Sequence, residues 1–262
     1  LLDPEKNLTV SYTSPVSEDS VRALLNDGWK AGAGFADNKK RFTADDILPY
    51  VYEGEKIKVV EKADPMSKGL EWTFSNGFKV VYRRMPAGKK MYYNLAFNAG
   101  YSSVENLAKG EGGYVSDYFL MSRICGMPGE DFRSVLASEG MTMEMYVGLN
   151  ATMISGCADD NDLDFMMNAL LSAVYDRRPD KDAVRYYESC EPLRHARRMD
   201  SASQMVSKVN EIMCPDYQYG SHKALEHISP DLSERAEKFF SNLAKHPDDG
   251  VLVLVGDVEP SA

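Results

Sequence analysis

Hydrophobic residues make up 44% of the 262-residue chain and charged residues 27%, which are ordinary values for a globular protein and exclude wholesale disorder. The 30 basic against 40 acidic residues give a formal net charge of −10, which argues against a nucleic-acid partner because phosphate binding requires a basic surface. The longest aliphatic run, Val251–Val255, is far shorter than the roughly 20 residues that cross a bilayer, so no membrane span is predicted.

The first 68 residues show one strand pattern and one helix pattern. Residues 7–13 alternate apolar and polar side chains, the period of a half-buried strand, and the Ser-Glu-Asp-Ser cluster that follows favours a helix over 18–30. The apolar period is then lost in a stretch rich in Gly, Asp, Asn and Lys, which is typical of a linker. Because one strand and one helix cannot bury their own apolar faces, we predict that residues 1–31 are the C-terminal tail of a preceding domain and residues 32–68 a linker.

From residue 69 onwards the pattern changes to alternating strands and periodic helices. Alternation on both sides of Asn76-Gly77 predicts a tight hairpin, because both residues tolerate the positive φ angles that such turns need. A third strand is predicted over 91–97, a helix over about 113–124 after a glycine-rich loop, and another helix over about 128–139.

The second half continues with strands and helices in separate runs. The predicted elements are two short strands over 142–147 and 151–155, a helix from the acidic cluster at 159–162 to about Tyr175, a long basic helical region after Pro179, a further helix from Ser201, a helix over 231–244 and a buried strand over 251–255. Segregated runs of this kind are typical of an α+β fold. For residues 69–262 we therefore predict two layers, a mostly antiparallel sheet covered by helices.

The four cysteines offer no metal or disulfide signature. Cys125, Cys157, Cys190 and Cys214 are 24 to 33 residues apart and form no C-x-x-C pair. That spacing favours buried free thiols over a zinc knuckle or a disulfide framework.

Histidine is scarce, and its one cluster has the wrong spacing for zinc. Outside this cluster the chain has only His195 and His246. His222-Lys-Ala-Leu-Glu226-His227 resembles the H-x-x-E-H motif but is one residue too long, so its two imidazoles diverge by roughly 140° around a helix. Ligands four residues apart share one helical face, whereas these two cannot meet at one zinc ion. The spacing favours a solvated helix start.

Three further segments carry no catalytic signature of their own. Ser102-Ser103 is not part of a G-x-S-x-G elbow, and Gly110-Glu-Gly-Gly113 lacks the Gly-Lys-Ser/Thr ending of a phosphate-binding loop, so a turn is predicted there. The basic run Arg194-His195-Ala-Arg197-Arg198 suits either an acidic partner surface or the exposed C-terminal end of a helix. From the residues alone we predict no catalytic, cofactor-binding or metal-binding residue.

Three segments of the chain follow one another in a distinctive order. Trp72-Thr-Phe-Ser-Asn-Gly77-Phe-Lys-Val-Val81 is a hairpin opening, Tyr101-Ser-Ser-Val-Glu105 follows Gly100 at the end of a strand, and Val251-Leu-Val-Leu-Val-Gly256-Asp-Val is a late strand. They resemble the opening L-S-N-G-x-x-V hairpin, the glycine-led loop before the metal helix and the late strand of the pitrilysin/insulysin zinc metallopeptidases, which include mitochondrial processing peptidase. The resemblance covers about residues 69–260.

The resemblance implies a processing-peptidase-like α+β fold and a place in a longer protein. Members of the family contain repeated homologous domains, arranged as two halves that close like a clamshell around a peptide, and only the first domain carries H-x-x-E-H and a distant Glu. On this basis the strand at 7–13 is the last strand of a second domain, the stretch to about Met66 the linker between the halves, and residues 69–262 a third domain. The partners implied are the catalytic half of the same polypeptide or a partner subunit, and peptide substrates.

The helix on which the family carries its zinc motif differs here. After the glycine-rich turn the chain continues Tyr-Val-Ser-Asp-Tyr-Phe. In one register Val115, Tyr118 and Phe119 occupy the His, Glu and His positions, and in the other Ser116, Phe119 and Leu120 do. Neither set contains a zinc ligand. We therefore expect no zinc in this chain and, as the resemblance implies, zinc in the catalytic domain of the parent.

Two functions follow from the resemblance and one lies outside it. The first is a non-catalytic part of a pitrilysin-type zinc metalloendopeptidase, which closes the chamber around peptides hydrolysed by a separate zinc-bearing domain. The second is a structural or partner-binding homologue whose whole parent has lost catalysis, and the third is an enzyme of unrelated class. Because the first residue is Leu1 rather than Met, we expect a longer parent, and a signal peptide on that parent would make it periplasmic or exported.

Overall fold

The computed structural model describes residues 11, 13, 15–32, 40–49, 57–108, 110–198, 201–213 and 229–260. Two compact units divide the chain, residues 1–41 and residues 42–262. The first unit contains the predicted helix, α1, at Glu18–Gly32. The strand predicted over 7–13 lies almost wholly outside the described residues, so the assignment of residues 1–31 to a preceding domain stays a prediction.

The described part of the second unit contains ten strands and six α-helices. Its strands are β1 (Val59–Asp64), β2 (Gly69–Phe74), β3 (Lys79–Arg84), β4 (Lys90–Phe97), β5 (Ser122–Ile124), β6 (Met127–Pro128), β7 (Thr142–Val147), β8 (Thr152–Asp159), β9 (Arg177–Pro179) and β10 (Gly250–Gly256). Its helices are α2 (Gly112–Leu120), α3 (Gly129–Ser138), α4 (Leu163–Tyr175), α5 (Lys181–Arg198), α6 (Ser201–Met213) and α7 (Leu232–Leu243).

Seven of these strands form one sheet in the order β1-β2-β3-β10-β4-β8-β7, and β6-β5-β9 form a small second sheet. In the large sheet every neighbouring pair is antiparallel except β3 and β10, which are parallel. The last strand in the chain therefore lies in the middle of the sheet, where Leu252 pairs with Val80 on one side and Leu95 on the other. This topology confirms the predicted mostly antiparallel α+β fold.

Helices cover one face of the large sheet. On that face Leu252, Tyr93 and Ile154 are at most 3% exposed and belong to one apolar core with side chains of α2, α3, α4 and α7. On the opposite face Val253 and Tyr92 are 40% and 51% exposed. Because side chains alternate across a strand, each strand contributes to both faces, and the result is the predicted two-layer structure.

The β2–β3 hairpin forms where predicted but with a different turn. Phe74 N–H donates to Phe78 O and Gly77 N–H donates to Phe74 O, both at 2.9 Å, so the loop contains three residues rather than two. Only Gly77 of the Asn-Gly pair has a positive φ, +88°, and the prediction of two such residues is wrong. Asn76 instead accepts a hydrogen bond at its Oδ1 from Phe78 N–H at 3.2 Å. A turn that ends in a left-handed glycine is the usual alternative for a three-residue hairpin loop.

Strand pairing moves three predicted boundaries. The helix predicted to about residue 124 ends at Leu120, because Ser122–Ile124 pair with β9 and β6. β8 runs to Asp159 rather than residue 155, because β4 offers partners along its whole length. β1 lies inside the range predicted as a linker and pairs with β2. β5 and β9 are three residues each and pair across more than 50 positions of the sequence, so local periodicity does not reveal them.

Leu252→Ala tests the dependence of the fold on the central strand. We expect the free energy of unfolding to fall by about 3 kcal/mol, because Leu252 is 1% exposed and its truncation leaves a cavity. Val253→Ala, one residue along on the open face, should cost about 1 kcal/mol or less. Urea unfolding measures both, and equal losses would contradict the assignment of the two faces.

Candidate functional site

Glu111 connects the start of α2 to the segment that leads into α7. Its carboxylate is fully buried and accepts hydrogen bonds from Ala108 N–H at 2.9 Å and from the N–H and hydroxyl of Ser229 at 2.8 and 2.6 Å. The guanidinium of Arg235, on α7, adds a contact at 3.3 Å. Because a buried charge is tolerated only with such partners, this cluster holds α7 against α2.

The charge state of Glu111 follows from these contacts. Burial alone would raise the pKa of its carboxyl, but the hydrogen bonds from Ser229, Ala108 and Arg235 outweigh burial, and the pKa is lowered. The sequence predicts the turn at this position, and Gly110 has a φ of +85° there. The sequence contains no local signal for the cluster around Glu111, because Ser229 is 118 residues away along the chain.

The α2 positions that correspond to the zinc ligands are packed in the core. In the first register Val115, Tyr118 and Phe119 expose 0%, 5% and 4% of their surface. In the second register Phe119 recurs, and the hydroxyl of Ser116 accepts a hydrogen bond from a backbone N–H of β7 at 3.3 Å. The side chain of Leu120 lies outside the described set. This face of α2 serves packing and offers apolar and hydroxyl groups.

Aromatic side chains close the space around α2. The ring of Tyr187, on α5, lies edge-on to Tyr114 with 6.3 Å between centroids and tilted against Tyr118 at 6.4 Å. The Tyr187 hydroxyl donates a hydrogen bond to the carboxylate of Asp117. Aromatic pairs at these distances are attractive in their own right, so the helix is held on this side by ring contacts.

Arg177, on β9, brings a buried positive charge to the same region. Its guanidinium lies over the rings of Phe240 and Phe119, 4.4 and 5.2 Å from their centroids. It donates to both carboxylate oxygens of Glu237 at 3.0 and 2.8 Å and to the hydroxyl of Ser122. The Arg177 side chain is 5% exposed, and burial lowers the pKa of its guanidinium while Glu237 opposes that shift. This pair holds α7 to the small sheet.

The structure assembles no metal site from the residues it describes. Among them, no group of three or more His, Cys, Asp or Glu side chains is placed to hold a metal ion. The segment 222–227, Cys214 and the side chain of His195 lie outside that set. Three of the cysteines lie within it: Cys125, Cys157 and Cys190. They are free thiols, and they are half-buried, whereas the prediction was that they are buried.

No helix in the described part of the chain has the length and apolar character needed to cross a bilayer.

β7 forms one edge of the large sheet and leaves backbone groups open. Gly148 N–H donates to Ala151 O at 2.8 Å, which identifies the even-numbered residues of β7 as those bonded to β8. The N–H and C=O groups of Met143 and Met145 therefore point away from β8, and no other described strand pairs with them. An open edge of this kind is a template for an added strand.

A groove of about 740 Å³ accompanies this edge and is called the β7 groove here. Besides β7 it is lined by Arg133 and Leu136 of α3 and by Asn94, Met153 and Ser155 of the open sheet face. Its volume lies within the range of roughly 300–1,000 Å³ that is usual for ligand sites. The Oδ1 atom of Asn94 is buried, and no described group donates a hydrogen bond to it. The β7 groove is the candidate functional site.

No protein-family model and no curated protein sequence matches the chain. Solved structures do match it. The chain aligns with a mutant of the ferredoxin protease FusC in complex with Arabidopsis ferredoxin at a TM-score of 0.68 and 19% identity, covering 96% of this chain and 28% of that one. It aligns with the periplasmic protease PqqL from Escherichia coli at a TM-score of 0.68 and 14% identity, covering 94% and 27%.

A third match is to an inactive domain. The peptidase M16 inactive domain from Pseudomonas fluorescens aligns at a TM-score of 0.58 and 15% identity, covering 73% of this chain and 47% of that one. At such identities the likeness concerns the fold, and it confirms the predicted α+β architecture. The chain spans about a quarter of the length of the first two proteins and under half of the third.

Glu111→Gln tests the buried carboxylate. At neutral pH we expect a loss of about 2 kcal/mol in the free energy of unfolding, because the amide cannot accept all the hydrogen bonds that the carboxylate accepts. A lowered pKa means that the carboxylate stabilises the fold above its ordinary pKa of 4.5 and ceases to do so as the pH falls below it.

The difference between wild type and Glu111→Gln should therefore shrink on acidification, as measured by urea unfolding across that pH range. Glu105→Gln is the control, because Glu105 is 67% exposed where it pairs with Lys238 and should contribute less than about 1 kcal/mol. A difference that stays constant with pH would contradict the assignment.

Arg177→Met tests the buried ion pair. We expect a loss of about 3 kcal/mol in the free energy of unfolding, because Glu237 then stays partly buried without its partner. The double variant Arg177→Met, Glu237→Met should be more stable than Arg177→Met alone, since it removes the uncompensated charge. Chemical unfolding of the four proteins in this double-mutant cycle gives the coupling, and additive losses would show that the two side chains do not act as a pair.

Proposed function

We propose that this chain, whose fold is that of the pitrilysin-like M16 peptidases, is a non-catalytic part of a zinc metalloendopeptidase of that type. It closes the chamber around a peptide that a separate zinc-bearing domain hydrolyses. One observation carries the proposal: the helix at the position of the zinc motif directs Val115, Tyr118 and Phe119 into the core, where none is more than 5% exposed. A metal ion at that place would have neither ligands nor room.

The chain's own contribution is to hold substrate in an extended form. Met143 and Met145 offer backbone N–H and C=O groups along the open edge of β7, and these match the hydrogen-bonding pattern of an extended peptide. The β7 groove beside them supplies the half-buried side chains of Met145 and Met153 as apolar contacts for substrate side chains. When one segment of an extended peptide is held in this way, the residues that follow it remain free to reach the catalytic centre in the separate zinc-bearing domain.

The residues on α2 do not fit a zinc ion, so the proposal assigns zinc to the catalytic domain of the parent. Bound there, zinc would polarise a water molecule for peptide hydrolysis. The alternative function, a structural or partner-binding homologue whose parent lacks catalysis, shares every feature described for this chain. An H-x-x-E-H motif elsewhere in the parent sequence separates the two.

A peptidase assay of the full-length parent, with and without a chelator, tests the proposal. We expect hydrolysis that the chelator abolishes and zinc restores. The same assay on the isolated chain should show no hydrolysis. A parent that is inactive under all conditions would favour the alternative function.

Met145→Pro tests the contact with substrate. Proline removes the N–H group that points away from β8 and leaves the β8 pairing intact, so we expect the parent's KM to rise about tenfold, the equivalent of one lost hydrogen bond, with kcat unchanged. Met145→Ala is the matched control, because it removes the same side chain and keeps the N–H group. Equal KM values for the two variants would show that substrate does not pair with β7.

A further inference from the structure

A row of polar side chains crosses the open face of the large sheet beside β7. Glu144 of β7 pairs with Ser155 of β8, and Ser155 pairs in turn with Asn94 of β4, two residues from the exposed Tyr92. Because directly paired residues project to the same side of a sheet, these three side chains form one row, about 10 Å long at the usual strand spacing. All three line the β7 groove.

The polar groups of this row have no partner in the described part of the chain. The Glu144 carboxylate is exposed and forms no ion pair there, the Ser155 hydroxyl forms no hydrogen bond, and the Oδ1 atom of Asn94 is buried without a donor. A buried acceptor without a donor costs free energy. Since no hydrogen bond fixes the carboxamide, rotation about its χ2 angle can turn Oδ1 towards the groove. The row therefore begins with a free carboxylate at the sheet edge and continues inwards with further hydrogen-bonding groups.

Glu144 is the only charged residue of this part of the open face. The two flanking rows consist of Tyr146, Met153 and Ala96 on one side and of Thr142, Cys157 and Tyr92 on the other. Arg133 also lines the groove, but it belongs to α3, which packs against the covered face. An exposed carboxylate between partly apolar rows is complementary to a cation on an apolar stem, and lysine and arginine side chains have this character.

A peptide strand paired with β7 places one of its side chains beside Glu144. Met143 and Met145 offer the open backbone groups, so the peptide residue opposite Glu144 projects onto the same open face, with the two Cβ atoms about 5 Å apart. Opposite charges in such a cross-strand pair attract each other. Backbone pairing with β7 accepts any sequence, whereas this contact selects one kind of residue.

We propose that the open face beside β7 is a subsite for a Lys or Arg side chain of the bound peptide. Glu144 is the charge partner of that side chain, and Ser155 and Asn94 supply further hydrogen-bonding groups. The proposal rests on the proposed function, because it requires a peptide strand paired with β7, and it names the substrate class as extended peptides with a basic residue at this position. The net charge of −10 on the chain favours the same class.

Peptide binding to the whole chain, measured by fluorescence anisotropy, tests the proposal. The probes are short, blocked, labelled peptides of alternating Thr and Val whose central residue is Arg, Lys, citrulline or Glu. Citrulline has the shape of arginine without its charge. We expect the Arg and Lys peptides to bind wild type about fivefold more tightly than the citrulline peptide, the upper end of the range for a cross-strand charge pair. The Glu peptide should bind most weakly.

Substitution of one exposed carboxylate completes the test. Glu144→Gln should weaken binding of the Arg and Lys peptides to the level of the citrulline peptide. Glu144→Lys should reverse the order, so that the Glu peptide binds most tightly. Glu234→Gln and Glu234→Lys are the matched controls, because Glu234 is an exposed carboxylate on α7, at the covered face, and they should keep the wild-type preference. Circular dichroism should be the same for all variants, since both carboxylates are exposed.

The outcomes separate this proposal from the proposed function. Peptides that bind without a preference for a basic residue, or a preference that Glu144→Gln leaves intact, overturn the subsite alone. If no peptide binds, the subsite and the pairing with β7 are both overturned, and Met145→Pro then leaves the parent's KM unchanged. A parent without peptidase activity whose chain keeps the preference that depends on Glu144 supports the subsite and overturns only the catalytic part of the proposed function.

Discussion

The position of β10 between β3 and β4 is the constraint on which the rest of the structure depends. Without β10, the strands β1-β2-β3 and the strands β4-β8-β7 share no backbone ladder. Val253 pairs with Val81 on one side and Asn94 on the other, so residues more than 150 positions apart in sequence become neighbours. The β2–β3 hairpin is a local structure, but the large sheet is complete only when the last strand has docked, which makes its formation a matter of long-range contacts.

Both buried ion pairs act on the helix that leads into β10. Glu111 binds Ser229 and Arg235 at the start of α7, and Arg177 binds Glu237 in the same helix. A buried charge that loses its partner is costly, so these contacts favour one position of α7 over its alternatives. The position of α7 in turn directs the chain towards the gap between β3 and β4. In the family that this chain resembles, α2 corresponds to the helix that carries the zinc ligands. Here the same face of α2 is packed into the core.

The described part of the large sheet therefore has two kinds of surface with different consequences. The face covered by helices is the core. The open edge of β7 presents backbone groups in the pattern of a missing strand, which suits an extended peptide of any sequence.

Local patterns in the sequence determined most of the elements, among them the hairpin around Asn76-Gly77, the helix that follows the acidic cluster at 159–162 and the aliphatic strand at the end of the chain. They also showed that no zinc ligand follows the glycine-rich turn. They also supported the resemblance on which the fold prediction rests. Only the tertiary structure decided the short strands β5 and β9, the partners of Glu111 and Arg177, and the position of β7 at an edge of the large sheet. Periodicity reflects how a segment packs against its immediate surroundings. The ion pairs and the pairing of β5 with β9 instead join segments more than 50 residues apart, and no local pattern encodes such contacts.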